Sequence, residues 1–147
     1  NRKLTQGEYW YSKAGITGIR GEVERGLPSV QLTGLPVFDE NLRQYSLKTA
    51  MAHTLLHLMT VVEDTTVLAR AGLEGLELVK SAATQVIGLG GLHTERGRQA
   101  LSRISTLFKS RRISPGGSAD LLATTIALWM LEKGPIPAKK ILPDFKE

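Results

Sequence analysis

Three stretches of the chain hold residue types that do chemistry at useful spacing. The first is Ser114-Pro115-Gly116-Gly117-Ser118-Ala119-Asp120-Leu121-Leu122. Ser114 followed by Pro115 is a helix-start signal. The paired glycines let a ligand approach the backbone closely, and the free N–H groups of a helix start favour phosphate. Asp120 is the only charged residue between Ser114 and Leu131. Burying a carboxylate in so apolar a helix is costly unless something pairs with it. Asp120 therefore reads either as a near-buried site residue facing Asp64 or Arg70 across a cleft, or as a cap of its own helix paired with a core arginine.

The second stretch, Glu63-Asp64-Thr65-Thr66 continuing to Arg70, interrupts an apolar stripe where burial is expected. Oxygen donors there suit a general base or Mg²⁺. The plainer alternative is an exposed helix end with Arg70 as a local ion-pair partner. The third stretch, Gly18-Ile19-Arg20-Gly21-Glu22-Val23-Glu24-Arg25-Gly26, is glycine-rich. It lacks the lysine and strand context of a phosphate-binding loop or dinucleotide fingerprint, and its plain reading is a surface loop of alternating charge. His53 and His57 stand four apart without the His-Glu-x-x-His pattern, so they read as packing or surface residues. His93 falls in a turn. No Gly-x-Ser-x-Gly elbow supports a serine hydrolase.

The elements that must position these stretches read as helices. A short helix fits Gly7–Ala14. Glycines at 15, 18, 21 and 26 with Pro28 and Pro36 read as loop and turns, so residues 1–45 are expected to be largely irregular. Leu47, Ala50, Met51, Leu55, Leu58, Met59 and Val62 follow helical spacing, predicting a helix from Ser46 to Ala71 that stops at Gly72. A second helix carries Leu76, Val79, Ala83, Val86 and Ile87 and ends at Gly88–Gly91. A third starts at the N-cap Thr94 and buries Ala100, Leu101, Ile104, Leu107 and Phe108. Its other face is basic, with Arg96, Arg103, Lys109 and Arg111. The fourth, Gly117–Lys133, is apolar nearly all round, which predicts a central buried helix. Gly134-Pro135-Ile136-Pro137 ends it, and 134–147 reads as an extension. The expectation is an all-α bundle: one helical domain over 1–147, with a central apolar helix and an irregular, glycine-rich N-terminal segment.

Composition bounds the functions available. Among 147 residues, 41% are apolar and 22% charged, which excludes wholesale disorder. Zero cysteines exclude disulfides, zinc-thiolate sites and thiol nucleophiles. The longest nearly apolar run, Leu121–Leu131, is about half the roughly 20 residues that span a bilayer. No membrane association and no signal peptide are therefore expected, and a cytoplasmic location is. The start is not a Met, so the chain reads as processed or as part of a longer protein. A formal charge of +5 favours polyanionic partners. The basic third-helix face leaves a helical nucleic-acid-binding module as the alternative to an enzyme.

Together the three stretches resemble the triphosphoribosyl-dephospho-coenzyme A synthase family. The similar segments are SPGGSADLLA at 114–123, GIRGEVERGLP at 18–28 and DTTVLARAG at 64–72, in the family's order. The resemblance covers about residues 5–131 and concerns the C-terminal half of the family. The family's Pro-Lys-Pro-Gly-Leu-Val-Asp and Gly-Val-Asn-Thr-His-Lys-Gly stretches are absent. Family members usually carry Asn where Thr66 and Arg112 stand, and Gly where Ala71 stands. The resemblance implies an all-helical enzyme of which this chain is one half. It also implies that ATP and 3′-dephospho-CoA give 2′-(5″-triphosphoribosyl)-3′-dephospho-CoA and adenine, making a precursor of the prosthetic group of citrate lyase or malonate decarboxylase. Its expected partners are both substrates, Mg²⁺ with ATP, and the missing N-terminal half or a second chain, without which the fragment is expected to be inactive. The implied positions are Asp64 and Asp120 as base or Mg²⁺ ligands, with Glu22 and Glu24 as further carboxylates. Arg20 and Arg70 are the expected phosphate clamps, and Thr65, Ser114, Gly116, Gly117 and Ser118 the expected donors to substrate.

Overall fold

The computed structural model describes residues 2–141; the expectations for Asn1 and for 142–147 lie outside them. Among the described residues there are eight α-helices and no strand. They are α1 (Gln6–Ala14), α2 (Gly18–Glu24), α3 (Leu35–Gln44), α4 (Leu47–Val61), α5 (Thr65–Gly88), α6 (Glu95–Ser110), α7 (Gly116–Lys133) and α8 (Ala138–Ile141). A π-helical turn, Val30–Gly34, leads into α3, and a 3-10 turn, Gly91–His93, separates α5 from α6.

The all-α expectation holds, and the N-terminal segment is more regular than its glycines suggest. Gly21 and Gly34 lie inside helical turns because neighbours leave no room for a side chain. A Cβ on Gly34 would lie 2.3 Å from Thr125 Oγ1 of α7, and one on Gly21 would overlap Thr17 Oγ1. Gly15, Gly18 and Gly26 do punctuate, at φ of 68°, 57° and 77°. Val30, Phe38 and Leu42 form the buried stripe of this region.

The helix expected over 46–71 is two. Ser46 caps α4, accepting from Thr49 N–H at 3.3 Å. At Val62 (φ −77°, ψ 133°) the backbone turns extended, and Asp64 (φ −70°, ψ 104°) caps a new helix. Gly72 still interrupts: at φ 64°, ψ −164° it divides α5 into two segments.

The central position belongs to α4 rather than α7. α4 packs on α3, α5, α7 and both short turns, and it buries Ala50, His53, Thr54, Leu56, Leu58 and Met59 around its circumference. On one side, Leu56 and Met59 meet Val67, Leu68, Val79 and Val86 of α5 and Ile104 and Phe108 of α6. On the other, Leu58 meets Val30 and Leu121. Phe38 and Trp129 join α3 to α7 edge-to-face at 5.8 Å, and Trp129 Nε1–H donates to Asp39 Oδ1 at 2.9 Å. α7 buries Gly117, Ser118, Leu121, Leu122 and Thr125. Its far side has no neighbour among the described residues, leaving Met130 41% and Leu131 82% exposed. The extension folds back as α8, where Lys140 Nζ donates to the carbonyls of Arg43 and Tyr45 at 3.0 and 3.1 Å.

His53 pins the 3-10 turn to α4. Its Nε2 accepts the Leu92 N–H at 3.0 Å, so the imidazole is neutral with its proton on Nδ1. His93 stacks on it at 4.0 Å, and Tyr45 on His93 at 4.1 Å. Burial first, then the neighbouring His93 and His57, push the His53 pKa down to about 4.

Candidate functional site

Two of the three sequence stretches, 64–72 and 114–123, meet on one carboxylate, and the third packs beside them. Asp64 is 1% exposed. Its Oδ1 accepts from Thr66 N at 3.0 Å and Val67 N at 3.2 Å, capping α5. The same oxygen accepts from Gly117 N at 3.1 Å. Its Oδ2 accepts Ser118 N at 2.8 Å and Ser118 Oγ–H at 3.0 Å, capping α7. Two helix N-termini, each with a partial positive charge, are thus neutralised by one anion. The geometry explains the glycines. A Cβ on Gly117 would lie 3.1 Å from Asp64 Oδ1, and one on Gly116 2.9 Å from Thr66 Oγ1. The 18–28 stretch joins through Gly18, where a Cβ would lie 2.6 Å from Thr65 Cγ2.

This arrangement changes what several expected site residues can do. A carboxylate offers about four lone-pair sites, and five donors already occupy Asp64. In this arrangement Asp64 joins helices and holds no free position for a substrate proton or a metal. Gly117 and Ser118 donate inward to it rather than outward, and Gly116 N–H donates to Ser114 O at 2.9 Å. The phosphate cradle expected at this helix start is therefore filled by the protein's own carboxylate. Glu22 is likewise buried and engaged, accepting from Ser29 N–H at 3.0 Å and Ser29 Oγ–H at 2.6 Å.

Asp120 is exposed, not buried, and pairs with neither Asp64 nor a core arginine. The seventh helix places Leu121 and Leu122 inward and turns Asp120 to solvent. Arg20, Glu24, Arg70 and Ser114 are exposed too, and Thr65 and Gly116 half-buried. Of the expected site residues, those with surface open to a ligand are therefore Asp120, Glu24, Ser114, Thr65 and the two arginines.

Two clefts open beside α2 and share Thr17. One, about 240 Å³, is lined by Gly18, Glu22, Arg25, Glu63 and Lys80. The other, about 270 Å³, is lined by Tyr11, Arg20, Gly21 and Glu24. Lys80, Arg25 and Glu63 are the residues that sequence reasoning left out of the site. Lys80 had a signal: it is a cation on a mainly apolar stretch of α5, and it lines the same cleft as Glu22 and Glu63 once the helices pack.

Among the described residues no group of three or more His, Asp or Glu side chains could hold an ion, and the oxygens of Asp64 are taken. No helix among the described residues is long and apolar enough to cross a membrane.

Comparison with known proteins gives one consistent answer. The family described as ATP:dephospho-CoA triphosphoribosyl transferase matches residues 1–137. A probable 2-(5''-triphosphoribosyl)-3'-dephosphocoenzyme-A synthase of Salmonella gallinarum is 38% identical over 97% of this chain and 46% of its own length. One from Malonomonas rubra is 39% identical over 88% of this chain and 42% of its own. The 2-(5''-triphosphoribosyl)-3'-dephosphocoenzyme-A synthase of Klebsiella pneumoniae is 37% identical over 92% and 44%. The chain thus spans less than half the length of these relatives. No solved structure matches it. Nothing in these comparisons supports nucleic-acid binding through the exposed basic face of α6.

Proposed function

Because this chain belongs to the ATP:dephospho-CoA triphosphoribosyl transferase family, we propose that it forms part of an enzyme that transfers the triphosphoribosyl group of ATP to 3′-dephospho-CoA. The observation that supports this is the meeting of two family-like stretches on Asp64, with the third packed beside them through Gly18 and Thr65.

In the proposed reaction the 2′-hydroxyl of dephospho-CoA forms a bond to C1′ of the ATP ribose. The C1′–N9 bond breaks, and adenine leaves with the electron pair. The hydroxyl proton is lost and adenine gains one. Such a transfer passes through an oxocarbenium-like state, as in glycoside hydrolysis. It needs a carboxylate for the hydroxyl proton and cations on the triphosphate. We assign the first role to Asp120, which stands on α7 two residues past the capped Ser118 with its carboxylate in solvent. Arg70, on the first segment of α5, and Arg20, in the cleft with Glu24, are assigned to phosphates, where a guanidinium grips two oxygens at once. Asp64 positions both helices. Mg²⁺ is proposed to arrive as part of the ATP substrate, its ligands mostly phosphate oxygens and water. Use of ATP accords with a cytoplasmic enzyme.

The uncovered face of α7 supports a helical partner, either an N-terminal half or a second chain, packed on Ala127, Met130 and Leu131. Residues 1–147 alone are then expected to be catalytically silent. The test is adenine release from ATP with dephospho-CoA, measured for this chain alone and with such a helical half added. Full turnover by the 147-residue chain alone would refute the need for a partner, and no release in either case would refute the activity.

A further inference from the structure

The two proposed substrates pose a recognition problem. Both contain adenosine 5′-phosphate, yet one must act as donor and the other as acceptor. Contacts to the shared part cannot tell them apart; only the parts they do not share can. ATP ends in a γ-phosphate. Dephospho-CoA carries a pantetheine arm, an extended chain of methylenes and a gem-dimethyl group broken by two amides.

A groove of about 420 Å³ runs between α4 and α6, with walls of Ala52, Leu55 and Met59 on one side and Leu101, Ile104 and Phe108 on the other. Its lining is mainly apolar carbon, the character of small-molecule sites that hold an alkyl ligand. Ser105 and Lys109 supply a hydroxyl and an ammonium group within it. Ala52 to Met59 spans about 10 Å of helix axis, comparable with the apolar part of such an arm. The groove ends on Ser114 and Pro115, the first residues of the stretch that closes on Asp64. Continuity with the junction at one end, apolar walls along the length and Lys109 as the cation for a diphosphate fit one occupant.

We propose that this groove holds the pantetheine arm of dephospho-CoA, with the diphosphate towards Lys109 and the ribose at the Ser114 end. This inference rests on the pentosyl-transfer reading above. It makes the α4–α6 groove the determinant that selects acceptor from donor.

ADP is the matching probe, since it keeps the adenosine diphosphate and lacks the arm. Binding of dephospho-CoA and of ADP is measured by calorimetry in the intact protein. It is repeated in Ala52→Trp and Ser105→Trp, which fill the groove from opposite walls at positions outside the fully buried core. Melting curves show that each variant is folded. The expected result is dephospho-CoA bound about tenfold or more tighter than ADP. That preference should fall below about threefold in both variants while ADP affinity stays unchanged. Equal affinities in the unmodified protein overturn the proposal, as they would if a partner helix rather than ligand covers the groove. A preference that survives both tryptophans overturns it as well. Adenine release, assayed separately with the helical half added, distinguishes the failures: preference lost on filling without any adenine release in that mixture keeps the groove and refutes the transferase reading.

Discussion

Asp64→Asn separates a carboxylate that holds helices from one that does chemistry. The best amide orientation keeps oxygen at the Oδ1 position, where it still accepts from Thr66, Val67 and Gly117 N–H. The NH₂ then faces Ser118 N–H, which donated at 2.8 Å. Two donors oppose each other, and a buried N–H is left unsatisfied at a cost of about 1–3 kcal/mol. Ser118 Oγ can rotate to accept and recovers part of the loss. The negative charge that faced two helix N-termini is also gone, worth about 0.5–1 kcal/mol at each, and more where burial limits screening. The sum is about 2–5 kcal/mol. For a domain of this length that lowers the melting temperature by roughly 5–15 °C. Thermal and urea unfolding followed by circular dichroism measure it, and adenine release is assayed with the helical half added, at a temperature where the variant is still folded. A variant that melts within about 2 °C of the unmodified protein yet has lost all adenine release would refute the capping argument and return Asp64 to the role of base.

Asp120→Asn should do the reverse: stability within about 0.5 kcal/mol, since the side chain is exposed, and turnover down by about 10²–10⁴ if it takes the hydroxyl proton. Unchanged turnover rejects that assignment. Stability should also fall on acidification. Folding keeps His53 neutral to about pH 4, whereas the unfolded chain protonates near 6.5. The unfolded state therefore binds more protons between these values, and roughly 2–3 kcal/mol present above pH 6.5 is lost by about pH 4. The urea midpoint followed from pH 7 to 4.5 should show this slope, and His53→Gln should flatten it. Gly34→Ala sets a methyl 2.3 Å from the hydroxyl of Thr125; a loss of about 1–3 kcal/mol is expected, relieved in the double variant with Thr125→Ala and not in that with Thr125→Ser, which keeps the hydroxyl.

How far the fold could be read from sequence varied with the physics of each element. Periodic apolar spacing located α6 and α7 closely, and the Thr94 cap placed the start of α6, because amphipathic stripes and capping side chains are local signals. The break between α4 and α5 was harder to read. Leu58, Val62 and Val67 keep an apolar cadence through it, and an aspartate within that cadence signals a cap only once its partners at Gly117 and Ser118 are known. Gly34 misled for a related reason: it is small because another helix touches it at Thr125, and contact across some 90 residues leaves no local trace. Asp120 misled differently. Its isolation among apolar residues suggested burial, but a helix of this composition can be apolar towards solvent where a further layer of protein is to cover it.

The π-helical turn at Val30–Gly34 sets a phase. In a regular α-helix eight residues advance about 800°, so Val30 and Phe38 would point some 80° apart. A π turn winds by less per residue, and five such residues remove most of that difference. Val30 and Phe38 thereby share the inward side, both with no exposed surface. The turn works as a spacer whose length is counted in single residues. Deleting one residue from it would rotate everything after it by about a quarter-turn. Phe38 and Leu42 would swing off the core, and Asp39 would swing away from Trp129. A change of length in this turn therefore acts on every residue after it at once, whereas a substitution acts at its own position.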